Sequence, residues 1–164
     1  MKKERISIYP GTFDPITNGH LDIIERAGEL FDRVIITISH NPDKEPLFSI
    51  SERREMIEEV IQPLKFAEVD TFSGLLVAYA IDRGAVALIR GLRAISDFEY
   101  EFQMALVNRR LAKQLVTVFL MPHEKYTYIN STIVRELARF GGNVSKFVPP
   151  NVENALRIKC GADS

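Results

Sequence analysis

The sequence predicts an α/β fold, a Rossmann-like open five-stranded parallel sheet with helices on both faces. Three observations carry this. Five short β-favouring runs alternate with stretches of helical periodicity, as crossover-connected parallel strands do. Several of the runs are apolar at nearly every position, Val34-Ile35-Ile36-Thr37-Ile38-Ser39 above all, as strands covered on both faces are. At 164 residues and 46% hydrophobic, residues 1–164 suffice for a single domain with a full core.

The first strand lies around Ile6 and Ile8 and is stopped by Pro10-Gly11. From Leu21, apolar residues recur at Ile24, Ala27 and Phe31, which is helical spacing. Between strand and helix, residues 10–20 form a turn carrying two prolines, two glycines, two threonines, an asparagine and a histidine. A strand feeding such a turn and then a helix start offers unpaired N–H groups and a positive dipole end, which suit a phosphate pocket with His20 in the first helical turn. The same features also fit an ordinary connection with His20 as a half-buried cap residue. After the second strand, a polar loop runs from His40 to Pro46, and Ser49-x-x-Glu52 reads as a capping box for a helix ended by Pro63. A third strand is expected over residues 66–71, and a helix from about Leu75 to Asp82, stopped by Arg83-Gly84. The fourth strand, Val86-Ala87-Leu88-Ile89, runs directly into Arg90-Gly91-Leu92-Arg93. Ser96-x-x-Glu99 is read as the start of a helix carrying Phe98, Phe102, Ala105 and Leu106 on one side and Met104, Val107 and Leu111 on another. So wide an apolar girth calls for a second partner surface, a contact between copies of the chain or a neighbour within it. The fifth strand is residues 116–120. Asn130, Ser131 or Thr132 caps the next helix, which closes at Gly141-Gly142, and Pro149-Pro150 opens a last one to about Lys159.

In open parallel sheets ligands bind beyond the carboxyl ends of the strands. The polar segments 12–20, 40–44, 90–93 and 126–132 are therefore expected to meet on one edge.

A formal net charge of −1 gives no basic footprint for general nucleic-acid binding. The single cysteine, Cys160, excludes an internal disulfide framework and fits a reducing, cytoplasmic setting. No signal peptide and no membrane-spanning run is expected. None of the 9 glycines forms a Gly-x-Gly pair, and no P-loop motif occurs, which argues against hydride transfer and P-loop hydrolysis. No serine sits in a nucleophile elbow and Cys160 has no neighbouring base, so covalent acyl transfer has no support. His20, His40 and His123 are too dispersed in sequence for a metal-ligand motif, and no protein metal site is expected. What remains is a set of cations and donors, His20, Lys44, Arg90, Arg93, Ser131 and Thr132, suited to polyphosphate and to charge stabilisation at phosphorus.

Four segments taken in order carry a resemblance: residues 9–20, Leu88-Ile89-Arg90-Gly91-Leu92-Arg93, Asp97-Phe98-Glu99-Tyr100-Glu101 and Val118-Phe119-Leu120-Met121-Pro122. Together they resemble the bacterial phosphopantetheine adenylyltransferase family, over nearly the whole chain. Thr17-Asn18-Gly19-His20 is similar to the T/H-x-G-H signature of the nucleotidyltransferase superfamily, and residues 129–135 resemble its second signature, Ile-Ser-Ser-Thr-x-x-Arg. The resemblance implies transfer of AMP from ATP to 4′-phosphopantetheine by direct in-line displacement, giving dephospho-coenzyme A and pyrophosphate, with Mg²⁺ carried on the ATP phosphates. It implies catalytic roles for His20, Lys44 and Arg90, with His20 steadying the transition state. Thr12, Lys44, Leu76 and Arg90 would bind the pantetheine substrate. Thr12, Phe13, His20, Gly91, Leu92, Arg93, Glu101 and the run Tyr126, Thr127, Tyr128, Ile129, Asn130, Ser131 and Thr132 would form the ATP site. It also implies a homohexamer. Asn130 departs from the serine common in the family, but asparagine caps a helix equally well. Two rivals stay open: a sister enzyme acting on another phosphate, such as a nicotinamide mononucleotide adenylyltransferase or a cytidylyltransferase, and a nucleotide-sensing module without catalysis.

Overall fold

In the computed structural model, which describes residues 2–161, five parallel strands alternate with helices. They run in chain order as β1 (Ile6–Gly11), α1 (Asn18–Leu30), β2 (Arg33–Ser39), α2 (Ile50–Ile61), β3 (Ala67–Phe72), α3 (Leu76–Asp82), β4 (Ala87–Gly91), α4 (Ile95–Leu111) and β5 (Val116–Leu120). A short 3₁₀ turn (Glu124–Tyr126) then leads to α5 (Ser131–Arg139) and α6 (Pro150–Lys159). The sheet order is β3-β2-β1-β4-β5. The chain therefore steps outward on one side of β1, then returns to its other side, and the reversal falls between β1 and β4. Carboxyl ends of strands that diverge at such a point leave a crevice above the sheet.

Alternation along the strands sorts the core into two layers. Ile8, Ile35 and Leu88 face one side, where they pack with Val77 and Ala80 of α3. Their neighbours Tyr9, Ile36 and Ile89 face the other, under Ile23, Ile24, Ile57, Val134, Val152 and Leu156 of α1, α2, α5 and α6. Helices thus cover both faces, as the apolar strand runs require. On α1, Gly28 admits the Phe66 ring so closely that an added Cβ would clash with it.

Boundaries differ from the sequence reading in three instructive places. Helix α1 begins at Asn18, three residues earlier than the apolar pattern shows, because Thr17 caps it with a polar side chain that hydropathy does not register. Strand β4 extends through Arg90 and Gly91, which belong to the sheet and not to the loop after it; pairing with β5 carries the strand past its apolar residues. Helix α4 starts at Ile95 with Ala94 as its cap and no side-chain capping bond, so Ser96 lies inside the helix. The Ser49–Glu52 capping box stands as expected, with both reciprocal bonds formed.

Helix α4 buries none of its residues. Ile95 is 94% exposed, and Phe98, Phe102, Leu106, Val107 and Leu111 all lie open. Phe98 and Phe102, one turn apart, stack with centroids 5.6 Å apart. The apolar girth is real: one side of α4 lies against β5, while Phe98, Phe102, Leu106, Val107 and Leu111 stay open among the described residues.

Candidate active site

The crevice between β1 and β4 is built first from backbone. Along the turn from Pro10 to Pro15, side chains from four other elements take hold of carbonyl oxygens. Arg90 donates to Pro10 O (3.2 Å), Ser39 to Gly11 O (3.3 Å) and Arg53 to Thr12 O (2.8 Å). Arg135 donates to Asp14 O (2.6 Å) and Ser131 to Pro15 O (2.8 Å). Phe13, inside this turn, has φ 49°, a left-handed conformation unusual for a side chain of that size. The hydrogen bonds of the described residues leave the N–H groups of Thr12 and Phe13 unused. Amides without acceptors, next to a helix N-terminus, form a concavity suited to anionic oxygen.

His20 stands at the third position of α1. Its Nδ1 accepts the Thr17 backbone N–H (3.0 Å), while Thr17 Oγ1 accepts the His20 N–H (3.3 Å), a reciprocal capping box closed by histidine instead of glutamate. That bond fixes the tautomer: Nδ1 is the acceptor, so the proton resides on Nε2. The ring packs edge-on to Phe13, with centroids 5.0 Å apart. Burial, reinforced by the positive charge of Arg93, pushes the imidazole down to about 3. His20 is therefore a neutral hydrogen-bond donor throughout the working pH range. Its NMR signals are expected to stay fixed from about pH 8 to about pH 5, where an ordinary histidine titrates near 6.5. The unfolded chain takes up this proton near 6.5 and the folded chain only near 3, so the stability tied to this residue declines as pH falls through that window. Acid denaturation of His20→Gln is expected to lack that component. A normal titration of His20 in the folded protein would contradict the assignment.

Across the crevice, Arg90 at the end of β4 forms a two-pronged pair with Glu101 of α4, at 2.8 Å from Nε and 2.6 Å from Nη2. Burial works against its charge, and the Glu101 carboxylate more than offsets that. Arg93 donates to Ile129 O (3.2 Å) and lies 3.7 Å from Asp97, tying the exit of β4 to the segment before α5. Asn130 caps α5 by accepting the Ile133 N–H (2.8 Å), which fulfils the cap expected of it.

These groups line a cavity of about 370 Å³ that brings together Thr12, Phe13, His20, Leu76 and Arg90 with Gly91, Arg93, Glu101 and Ile129. An adjoining cavity of about 530 Å³ shares Thr12, Phe13, His20 and Arg93, and adds Lys44, Asn130, Ser131 and Thr132. Leu92, Tyr126, Thr127 and Tyr128 line neither. Leu92 donates its N–H to Leu120 O, and Tyr126 packs over Gly19 at the start of α1. Sequence reasoning missed Tyr9, Ser39 and Asp97, which line the first cavity, and the carbonyl-holding arginines Arg53 and Arg135. Arg53 left a signal: it shares a helical face with Met56 and Ile57, a charge set on an apolar stripe. Arg135 is the terminal residue of the second signature. Tyr9 left none, since its place in a strand already explains it.

A parallel sheet with a donor-lined crevice at its switch point defines a nucleotide-handling α/β protein, and the cytidylyltransferase-like family model matches residues 8–137. Over 155 residues the chain is 55% identical to the phosphopantetheine adenylyltransferase of Alkaliphilus metalliredigens, covering 94% of this chain and 99% of that relative. It is 55% identical over 157 residues to that of Desulforudis audaxviator, covering 96% of each. By these matches the chain belongs to the phosphopantetheine adenylyltransferase family, within the cytidylyltransferase-like group. The fold alone is shared with a bifunctional NMN adenylyltransferase/ADP ribose pyrophosphatase of Francisella tularensis, at TM-score 0.72 and 18% identity, covering 95% of this chain and 49% of that one.

Proposed function

We propose that the chain moves AMP from ATP to 4′-phosphopantetheine, giving dephospho-coenzyme A and pyrophosphate in coenzyme A biosynthesis. The observation that carries this is the convergence of unused turn amides, a neutral His20 donor and paired arginines on one crevice, in a chain 55% identical to phosphopantetheine adenylyltransferases. A phosphate oxygen of 4′-phosphopantetheine attacks the α-phosphorus of ATP, the α–β bridging bond breaks, and pyrophosphate carries away the electron pair. The attacking oxygen is already anionic, so no general base is required. Fixing two anions in line contributes roughly 7–11 kcal/mol, and the N–H groups at the crevice meet charge as it spreads over the equatorial oxygens. In this reading the Thr12 and Phe13 amides and His20 Nε2–H face the phosphates under attack. Lys44 and Arg90 hold the acceptor phosphate, and Leu76 lines the path of the pantetheine arm. Gly91, Arg93, Glu101 and residues 129–132 surround the nucleotide.

Mg²⁺ is proposed to enter with ATP. Cations and amides dominate the crevice, and its carboxylates Asp97 and Glu101 already face Arg93 and Arg90. Among the described residues no three His, Cys, Asp or Glu side chains gather as a ligand set. The ion would thus be held chiefly by phosphate oxygens and water, its usual manner of binding with nucleotides, and would neutralise phosphate charge.

The deciding test is pyrophosphate release with ATP and a panel of acceptors: 4′-phosphopantetheine, nicotinamide mononucleotide and a sugar phosphate. Release with 4′-phosphopantetheine alone is expected; release with another acceptor instead would move the assignment to a sister enzyme. ATP binding without release on any acceptor would leave a nucleotide sensor.

The open face of α4 is proposed to pack against other copies in a homohexamer, and the enzyme is placed in the cytoplasm with its substrates. A charge set among the stacked aromatics, as in Phe102→Glu, is expected to lower the mass measured by light scattering to that of smaller species. An unchanged mass would remove α4 from the interface.

A further inference from the structure

Asp14 is 3% exposed, and no step of the reaction calls on it. Its Oδ2 accepts the Leu47 N–H (2.8 Å) and its Oδ1 the Phe48 N–H (2.9 Å). Both lie at the end of the loop after β2, the loop that carries Lys44. Three charged side chains meet here: Arg135 comes to 3.7 Å of Asp14 Oδ2, and Arg53, 3% exposed, donates from Nε to Phe48 O (3.1 Å) and from Nη1 to Thr12 O (2.8 Å). A buried charge cluster costs desolvation that packed apolar side chains would avoid. Here each charge is spent on main-chain atoms of two segments, the 12–15 turn and residues 47–48. The loop between them, residues 40–46, is otherwise held mainly by local turns, Asp43 N–H to Asn41 Oδ1 (3.0 Å) and Lys44 N–H to Asn41 O (3.3 Å).

We propose that Asp14 is a positioning residue that sets where Lys44 meets the acceptor phosphate, by clamping the far end of the Lys44 loop to the turn bearing Thr12 and Phe13. Lys44 is three residues from the clamped Leu47 and lines the same cavity as Thr12, Phe13 and His20. A long, exposed lysine gains little from charge alone at a solvated site; it contributes more when its stem is anchored at a fixed distance from the amides. A carboxylate suits the task because both of its oxygens accept, so two adjacent N–H groups are held by one rigid plane. An amide in its place would turn a donor toward one of them.

This inference rests on the role assigned above to Lys44, and a double-mutant cycle separates the two. Asp14→Asn is expected to lower kcat/KM for 4′-phosphopantetheine roughly 100-fold, as a misplacement of about 1 Å does. In a Lys44→Ala background, Asp14→Asn is expected to cost almost nothing further, because the group it positions is gone. Equal losses in both backgrounds would make Asp14 merely structural and overturn the proposal. If Lys44→Ala alone turns over normally, the assignment of Lys44 fails instead. Hydrogen exchange of the wild-type protein needs no variant to fold: slow exchange at the Leu47 and Phe48 amides is expected, and free exchange at both would overturn the clamp.

Discussion

Turnover of the His20→Ala variant is expected to fall by about 10²–10³-fold, the cost of deleting one aimed donor from a site of developing charge. The geometry sets this size. Because Nδ1 is committed to the Thr17 N–H, the ring is locked, and its Nε2–H is a preorganised donor whose direction costs nothing to arrange during reaction. The folded protein holds the ring neutral with its pKa at about 3, so the effect is loss of a hydrogen bond and not of a proton-transfer group. The deficit should therefore be nearly constant with pH across the neutral range. Alanine also removes one arm of the capping box, but Thr17 Oγ1 still has a backbone N–H to accept, so the melting temperature should drop modestly, in line with about 1 kcal/mol for a cap. Single-turnover kinetics beside a thermal melt measure the two separately. Turnover near wild type, or a collapse of the fold that accounts for all the loss, would remove His20 from the reaction.

How much of this was legible in the sequence depends on what each residue's neighbours are. The five strands and their flanking helices were legible because near-continuous apolar runs and helical apolar spacing are local properties, and the sheet buries such runs on both faces, as the opposed neighbours Ile8 and Tyr9, or Ile35 and Ile36, show. The gathering of loops on one edge followed from the crossover rule, and the structure does bring His20, Arg90, Arg93 and Ser131 into two adjoining cavities. Long-range polar contacts were not legible. Nothing in the order of residues says that Arg53 reaches the Thr12 carbonyl 41 positions away, or that Asp14 accepts two N–H groups 33 and 34 positions on. Arg90 read as a loop cation after a buried strand. The structure makes it a strand residue already paired with Glu101, a carboxylate that helical position alone leaves as a surface charge.

That pairing determines how Arg90→Ala should behave. A guanidinium has five N–H donors; three are used here, two on Glu101 and one on Pro10 O, which leaves two for an acceptor phosphate without breaking the pair. Glu101 thus keeps Arg90 at a fixed angle, and in the proposed reaction the acceptor phosphate adds to the pair instead of replacing it. Removing Arg90 takes away those two donors and also strands the Glu101 carboxylate, whose side chain is only 12% exposed. The first loss is expected to raise KM for 4′-phosphopantetheine far more than KM for ATP. The second is expected to cost about 3 kcal/mol of stability, the lower end for a severed buried pair, since this one faces the crevice. The double variant Arg90→Ala/Glu101→Ala separates these effects: stability should largely return, while the defect in phosphopantetheine binding should remain. If the double variant instead recovers binding, the arginine serves only to neutralise its partner, and the acceptor phosphate must be held by Lys44 and the turn amides alone.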